Sequence, residues 1–437
     1  MKGNQRSFTV CEHGFIAKSS DSLAHHEWPN VLLPPRRFDL IEQFVKENEL
    51  EGDQTVTHFL IPSFKRNVGD ILKAQNYVGL IETKDGTVIE ILPKIYRVED
   101  PDQNRRIFLR MLKALRNTPF KHLELSHLRT ARMPLFEIFI KMFLDEVSIL
   151  IKRGLKQDYI TKEENSLFLK GKLKVGDHLK TNYVHKERFF VQYDEFLKDR
   201  PENRLIKSTL CYLGFVSKSM VNQKRIKLYL LAFTDVKLSQ NHEHDFSREK
   251  KNRLMKDYYR VLRWCRVFLK HESFTNFKGT SVAFALLFPM ERIFEDYVGQ
   301  LVKRYHSLDF DVTLQQSREY LIVEQRKFRL VPDIYLADRR DQDSKVIMDT
   351  KWKLIDEANS KANYGIAQSD LYQMYAYAKK YQARRVILIY PKSDDFTEPI
   401  DTIRRYEEKI SIAIKPFDLS KSEDENALRE EVGSLLQ

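Results

Sequence analysis

The chain has 437 residues, 42% of them hydrophobic and 12% aromatic, with a mean hydropathy of -0.49. That length and composition support two or three domains with sizeable cores and exclude a disordered or fibrous chain. Its 74 Lys and Arg against 62 Asp and Glu leave a formal net charge of +12, a balance that favours a polyanionic partner.

The longest nearly uncharged apolar stretch, Ser281 to Met290, is about half the ~18 residues a membrane span needs, so no membrane partner is expected. The polar start MKGNQRSFTV lacks the apolar core of a secretory signal. Cys11, Cys211 and Cys265 lie far apart with no CxxC pair. This argues against a disulfide framework or a zinc site, and a reducing cytoplasm is the expected location.

Residues 1–100 read as a small β-rich domain. Tyr77 to Ile81 and Val88 to Leu92 flank Asp85-Gly86, a turn-forming pair, and Pro93 closes the second strand. Residues 101–245 read as a largely helical middle region. Phe136, Phe139, Ile140, Phe143, Val147 and Leu150 recur every three or four residues, as on one helical face. Leu167 to Val175 alternates like a strand. Helices are predicted near Ser208 to Ser219 and over Arg248 to His271, where Leu254, Tyr258, Val261, Cys265 and Phe268 make the apolar stripe, with Arg253 off it. Between Pro201 and Lys270 there are 16 Lys and Arg against 6 Asp and Glu. A solvated helical face and a phosphate-tracking surface account for this equally well. Asn241 to Asp245 (NHEHD) is the linker candidate, and its His-Glu-His is more simply a solvated cluster than a metal site.

Residues 246–437 read as an α/β domain with a central mixed sheet. The predicted order is a helix over Ala285 to Tyr305, then strands over Asp311 to Gln315, Phe328 to Ala337 and Lys345 to Lys353. A helix over Leu371 to Tyr381 and a buried strand over Arg385 to Tyr390 follow. Pro332-Asp333 is followed 16 residues later by Asp349-Thr350-Lys351, a PD-(D/E)XK arrangement. Hydrolysing a phosphodiester needs a cation to neutralise charge and activate water. Mg2+ prefers oxygen ligands, one or two carboxylates with water and phosphate completing its shell, and Mn2+ is the alternative. Asp333 and Asp349 are those carboxylates if their strands are neighbours. Asp349 and Lys351, two apart on a strand, leave the same face, which puts the lysine beside the cation. Ile347 shares that face, and Met348, Thr350 and Trp352 point to the opposite layer. Gln373 and Tyr377 lie four apart on one face of the following helix. Upstream, Glu291 and Glu295 are also four apart, and Glu295 is the candidate third metal ligand or supporting contact. Solvated glutamates on an amphipathic helix are the plainer account of both. No GxxxxGK[ST] occurs, since Gly171-Lys172 and Gly176 do not fit, so the chain should bind no nucleotide through a P-loop. GxSxG, HExxH and GxGxxG are also absent.

Across these motifs the chain resembles the McrC family, the nuclease subunit of McrBC-type (type IV, modification-dependent) restriction systems. The carrying residues are Pro332-Asp333, Asp349-Thr350-Lys351-Trp352-Lys353 and Asp370-Leu371-Tyr372-Gln373-Met374-Tyr375-Ala376-Tyr377-Ala378. Gly79-Leu80-Ile81 with Ile89 to Ile95, and Tyr193-Asp194-Glu195-Phe196 followed by Asn203-Arg204, are similar to the family's upstream regions. Residues 1–68 carry no feature of it. The resemblance implies a metal-dependent endonuclease with Asp333, Asp349 and Lys351 in the catalytic roles, supported by Gln373 and Tyr377. It implies a separate AAA+ GTPase ring that reads 5-methylcytosine, translocates double-stranded DNA and is stimulated by docking of this chain's N-terminal region. Self-association during cleavage is also expected. Two rivals remain: a self-sufficient RecB-like or junction-resolving nuclease, and a non-catalytic docking subunit with a decayed nuclease fold. The intact Asp-Asp-Lys set argues against the second. The modified site recognised, the stoichiometry and the choice between Mg2+ and Mn2+ are not readable.

Overall fold

A computed structural model describes residues 7–19, 30–49, 59–115, 133–249, 255–269, 282–341, 343–403 and 410–437. The chain packs as two compact units, Met1–Leu135 together with Ser273–Gln437, and Phe136–Glu272. Residues 1–100 and the C-terminal sheet therefore share one unit, and the second is inserted between them. This differs from the three consecutive segments that sequence locality suggests.

In chain order the first unit opens with β1 (Ser7–Cys11), β2 (Phe15–Lys18), β3 (Val31–Leu33), α1 (Pro35–Glu49) and β4 (Leu60–Lys65). It continues through β5 (Gly69–Ala74), β6 (Tyr77–Thr83), β7 (Val88–Leu92) and α2 (Pro101–Leu112). The predicted hairpin is β6–β7. Its turn is held by the Asp85 carboxylate, which accepts from Thr87 N at 3.1 Å and Thr87 Oγ1 at 3.0 Å, while Gly86 takes φ +76°. One sheet runs β3-β2-β5-β4.

The second unit comprises α3 (Leu135–Lys152), β8 (Asp158–Ser166), β9 (Lys172–Leu173), α4 (Val175–Thr181), β10 (Phe189–Leu197) and α5 (Pro201–Val216). It ends with α6 (Met220–Ala232), α7 (His242–Ser247) and α8 (Lys256–Leu269). Phe136, Phe139 and Phe143 of α3 meet Trp264 and Phe268 of α8, with ring centroids 5.9–6.2 Å apart. This is the apolar stripe of α3 finding its partner. Arg253 and Leu254 lie outside the described residues. The expected linker at Asn241 to Asp245 is instead the start of α7, with Asn241 capping His244 N at 3.0 Å and Asp245 buried. Of Leu167 to Val175, only Lys172–Leu173 pairs as a strand. Asn203 and Arg204 act as braces: buried Asn203 donates to Lys156 O and Lys198 O, and Arg204 pairs with Asp199 at 2.7 Å.

The chain then returns to the first unit as β11 (Val282–Pro289), α9 (Met290–His306), β12 (Phe310–Leu314), β13 (Glu319–Ile322), β14 (Lys327–Leu330) and β15 (Ile334–Asp338). It closes with β16 (Lys345–Thr350), α10 (Gln368–Tyr381), β17 (Arg385–Pro391), β18 (Ile400–Ile403), β19 (Ser411–Phe417) and α11 (Glu425–Ser434). The helix expected from Ala285 begins only at Met290. The residues before it form β11, which completes the sheet β1-β7-β6-β11 by pairing antiparallel with β6. The six-stranded mixed sheet runs β12-β15-β16-β17-β19-β18, with β16, β17 and β19 parallel. Ile347, Val386, Leu388, Ile412 and Ile414 pack with α10, while Trp352 and Phe417 meet Phe294 of α9 edge to face, so helices cover both faces. The strand expected over Phe328 to Ala337 is broken at Val331-Pro332-Asp333, because Pro332 has no N–H to give a ladder. Residues before the break instead form a β13–β14 hairpin.

Candidate active site

The register of β15 on β16 pairs Ile334 with Met348, which sets Asp333, one residue earlier, level with Asp349. The neighbouring-strand condition is met. Asp333 Oδ2 accepts from Thr350 N at 2.7 Å and Thr350 Oγ1 at 2.8 Å, which locks the two motifs together. Asp333 O accepts from Gln315 N at 2.8 Å, tying the motif to the end of β12. Asp349 is 1% exposed. Burial first, and then the charge of Asp333, push its carboxyl up to about 7.

Lys351 extends the β16–β17 ladder, its N–H donating to Ile389 O at 2.9 Å. Its Nζ lies 2.5 Å from Asp349 Oδ2 and donates to Gln373 Oε1 at 3.4 Å. The neighbouring carboxylates raise its pKa against the opposing effect of burial, which is the largest influence, so the ammonium stays charged. Gln373 Nε2 donates to Tyr377 OH at 2.7 Å, and Tyr377 OH donates to Val331 O at 3.0 Å. The chain of contacts therefore runs from Asp349 through Lys351, Gln373 and Tyr377 back to the loop that carries Asp333. All five predicted residues of this group are brought together.

Glu295 is placed otherwise. Its Oε1 accepts from Gln315 Nε2 at 2.8 Å, beside the Asp333 loop, and its charge reaches Asp349 only as a minor influence. Glu291 accepts from Asn76 Nδ2 at 3.1 Å. Among the described residues no three His, Cys, Asp or Glu side chains are grouped to hold a metal ion, so the three-carboxylate set expected of Asp333, Asp349 and Glu295 is not formed. The two aspartates still suit a hard cation that keeps water and substrate oxygens in its shell. Buried Asp349 Oδ2 is held by the Lys351 ammonium in a charge-assisted contact of 2.5 Å.

Sequence reasoning missed Thr350, Gln315 and Tyr381. The Tyr381 hydroxyl lies 2.9 Å from Leu330 O and 3.0 Å from Gln316 O, bracing the same loop. Its spacing of four from Tyr377, itself four from Gln373, was a usable signal. For Thr350 none existed, since its partner is fixed only by the fold.

Fold and site define an α/β protein whose central mixed sheet carries an Asp-Asp-Lys cluster, with Asp349 buried, where β15 begins and β16 ends. A family profile described as McrBC, McrBC 5-methylcytosine restriction system component, matches residues 72–391. The chain belongs to that family. Among solved structures it is similar to a chain of the refined half-complex from the tetradecameric assembly of Thermococcus gammatolerans McrB AAA+ hexamers with bound McrC. The identity is 18% and the TM-score 0.67, over 98% of this chain and 99% of that one. A second match, to the Thermococcus gammatolerans McrBC complex, has 19% identity and a TM-score of 0.48, over 68% of this chain and 88% of that one. No curated protein matches the chain. Among the described residues no helix is long and apolar enough to cross a membrane.

Proposed function

We propose that this chain is the endonuclease subunit of a 5-methylcytosine-directed restriction system, hydrolysing DNA phosphodiesters at Asp333, Asp349 and Lys351. The observation that carries the reading is the buried Asp349 carboxylate, set level with Asp333 and 2.5 Å from the Lys351 ammonium. Asp333 and Asp349 would hold Mg2+, or Mn2+ in its place. When bound, the cation supplies charge neutralisation for the phosphate and activation of water. Lys351, aimed by Gln373 and Tyr377, donates a hydrogen bond to charge developing on a phosphate oxygen. Thr350 fixes the Asp333 carboxylate, and the Tyr377 hydroxyl holds the Val331 carbonyl so the loop cannot swing away.

DNA recognition and translocation are assigned to a separate McrB-like AAA+ GTPase. Family membership supports this, as does the AAA+ assembly in which the similar McrC chain is found. The inserted unit is the docking candidate, and Phe168, Tyr183 and Phe215 are exposed aromatic side chains on it.

The test is cleavage of methylated and unmethylated plasmid with Mg2+, with and without the AAA+ partner and GTP. Cleavage of methylated DNA only with partner and GTP is expected, and Lys351→Ala should slow it by at least about 10²-fold with the fold intact. A folded Lys351→Ala variant that cleaves normally would sink the site. Cation binding has its own readout. Mg2+ or Mn2+ should raise the melting temperature of the wild type, and Asp349→Asn should abolish the rise. An equal rise in the variant would place the ion elsewhere.

A further inference from the structure

Outside the carboxyl ends of the parallel strands β16 and β17 the first unit contains a cleft of about 360 Å³. Its walls come from five places: the turn after β1, the β5–β6 connection, the segment after β7, and the two segments that leave β16 and β17. Ligands of open α/β sheets collect in such crevices. A second cavity, of about 710 Å³, shares Glu12, His13, Lys94, Ile95, Arg97 and Asp394 with this trough and adds Glu99 but no further cation.

The trough is cationic. Lys94, Arg97, Lys353 and Lys392 line the first cavity with the carboxyl groups of Glu12 and Asp394, while burial and the charges of Lys94 and Lys73 push the His13 imidazole toward its neutral form. Glu12 offsets little of that charge. It is 1% exposed, its oxygens accept from Trp352 Nε1 at 2.6 Å and Lys94 N at 3.2 Å, and burial lifts its carboxyl up to about 8. Lys353 is paired with Asp370 at 2.9 Å. Arg97 and Lys392 instead lie over the Tyr96 ring, at 4.9 and 5.4 Å from its centroid. An aromatic face attracts the charge without consuming N–H donors, which stay available to an anion. Trp352 and Lys353, in one wall, directly follow Lys351 in the chain.

We propose that this trough holds the sugar–phosphate backbone of one DNA strand as it leaves the scissile position, with Lys94, Arg97 and Lys392 contacting successive phosphates and Tyr96 presenting its ring to the strand. The proposal rests on the nuclease reading and extends it by naming where the substrate runs. Charge complementarity selects a polyanion. Three cations in one cleft, Lys94, Arg97 and Lys392, favour a strand with several phosphates over a free nucleotide.

The test uses the full chain in EDTA, so that binding is read without cleavage, and a fluorescent 30-nucleotide strand followed by anisotropy across a salt series. Lys94→Gln/Arg97→Gln/Lys392→Gln should weaken binding at least tenfold. It should also flatten the log–log salt dependence by about 2, since each lost phosphate contact on a single strand removes about 0.7. Lys94→Gln alone, at an exposed side chain, should give a third of the change in slope and guards against misfolding of the triple variant. Unchanged affinity and slope in both Gln variants would overturn the trough, as would a mononucleotide that competes as well as the strand. Metal-dependent cleavage by the same wild-type preparation, with partner and GTP, is scored separately. If it persists while the Gln variants bind normally, the trough alone fails; if the wild type neither binds nor cleaves, the nuclease reading fails with it.

Discussion

Glu12 illustrates how far a residue's chemistry can depend on its place in the fold. It belongs to no motif, yet its carboxyl accepts from Trp352 Nε1, three residues past Asp349, and burial lifts it from 4.5 to about 8. A carboxyl raised in the folded state binds its proton more tightly there than in the unfolded chain. Its stabilising contribution is complete below about 4.5 and is lost as the pH rises through 8. Glu12→Gln cannot ionise, so its melting temperature relative to the wild type should climb between pH 5 and pH 9, by up to about 5 kcal/mol of differential stability. A difference that stays flat over that range would mean the carboxyl is not buried as described. At this scale the sequence spoke clearly only where chemistry and strand period coincide. Asp333, Asp349 and Lys351 are recognisable because two acids and a lysine on strands have one obvious use. Gln373 and Tyr377 follow from helical spacing. Glu12 and Thr350 owe their roles to partners that only the folded chain brings near, and Glu295 satisfied a pattern without reaching the ligand position.

Elements were legible in proportion to how local their causes are. The β6–β7 hairpin is written in Asp85-Gly86, whose carboxylate and positive φ make the turn from local contacts. The strand β11 is different. Ala285 to Phe288 is an unbroken apolar run, and such runs suit a doubly buried strand as well as a helix. What decides is the partner strand. Gly79 of β6 sits at φ +138°, and a Cβ there would lie 2.1 Å from Leu286 O of β11. The close approach of the two strands depends on that missing side chain. Gly79→Ala should therefore cost roughly 2–5 kcal/mol, from strain and a clash that cannot both relax. Gly433→Ala in α11, where a Cβ meets nothing within 4 Å, should instead gain a few tenths to 1 kcal/mol from helix propensity. Thermal melts of the two variants settle it: equal effects would show that β11 does not pack on β6 in this way.

At the scale of the whole molecule the misreading was of continuity. Composition and periodicity change along the chain near residues 100 and 245, and a reading that moves from one residue to the next turns such changes into consecutive domains. Long-range contacts are invisible to it. The first unit is closed by β11 in the N-terminal sheet, by Trp352 on Glu12, by Arg106 on Glu423 at 2.8 Å and by Arg110 donating to Ser422 O at 3.0 Å. Each of these joins residues about 200 or more positions apart. A fragment spanning 246–437, the segment that reads as a self-contained α/β domain, would lose every one of them. Its strand β11 would keep no partner, and Trp352 would lose the acceptor of its indole N–H. An unpaired apolar edge and an unsatisfied buried donor both favour aggregation over folding. The fragment should fail to give a cooperative melt, and co-expression with residues 1–135 should restore one. If the fragment alone melts cooperatively, the Asp-Asp-Lys sheet is an independent domain, and the N-terminal sheet is an attachment to it rather than part of its framework.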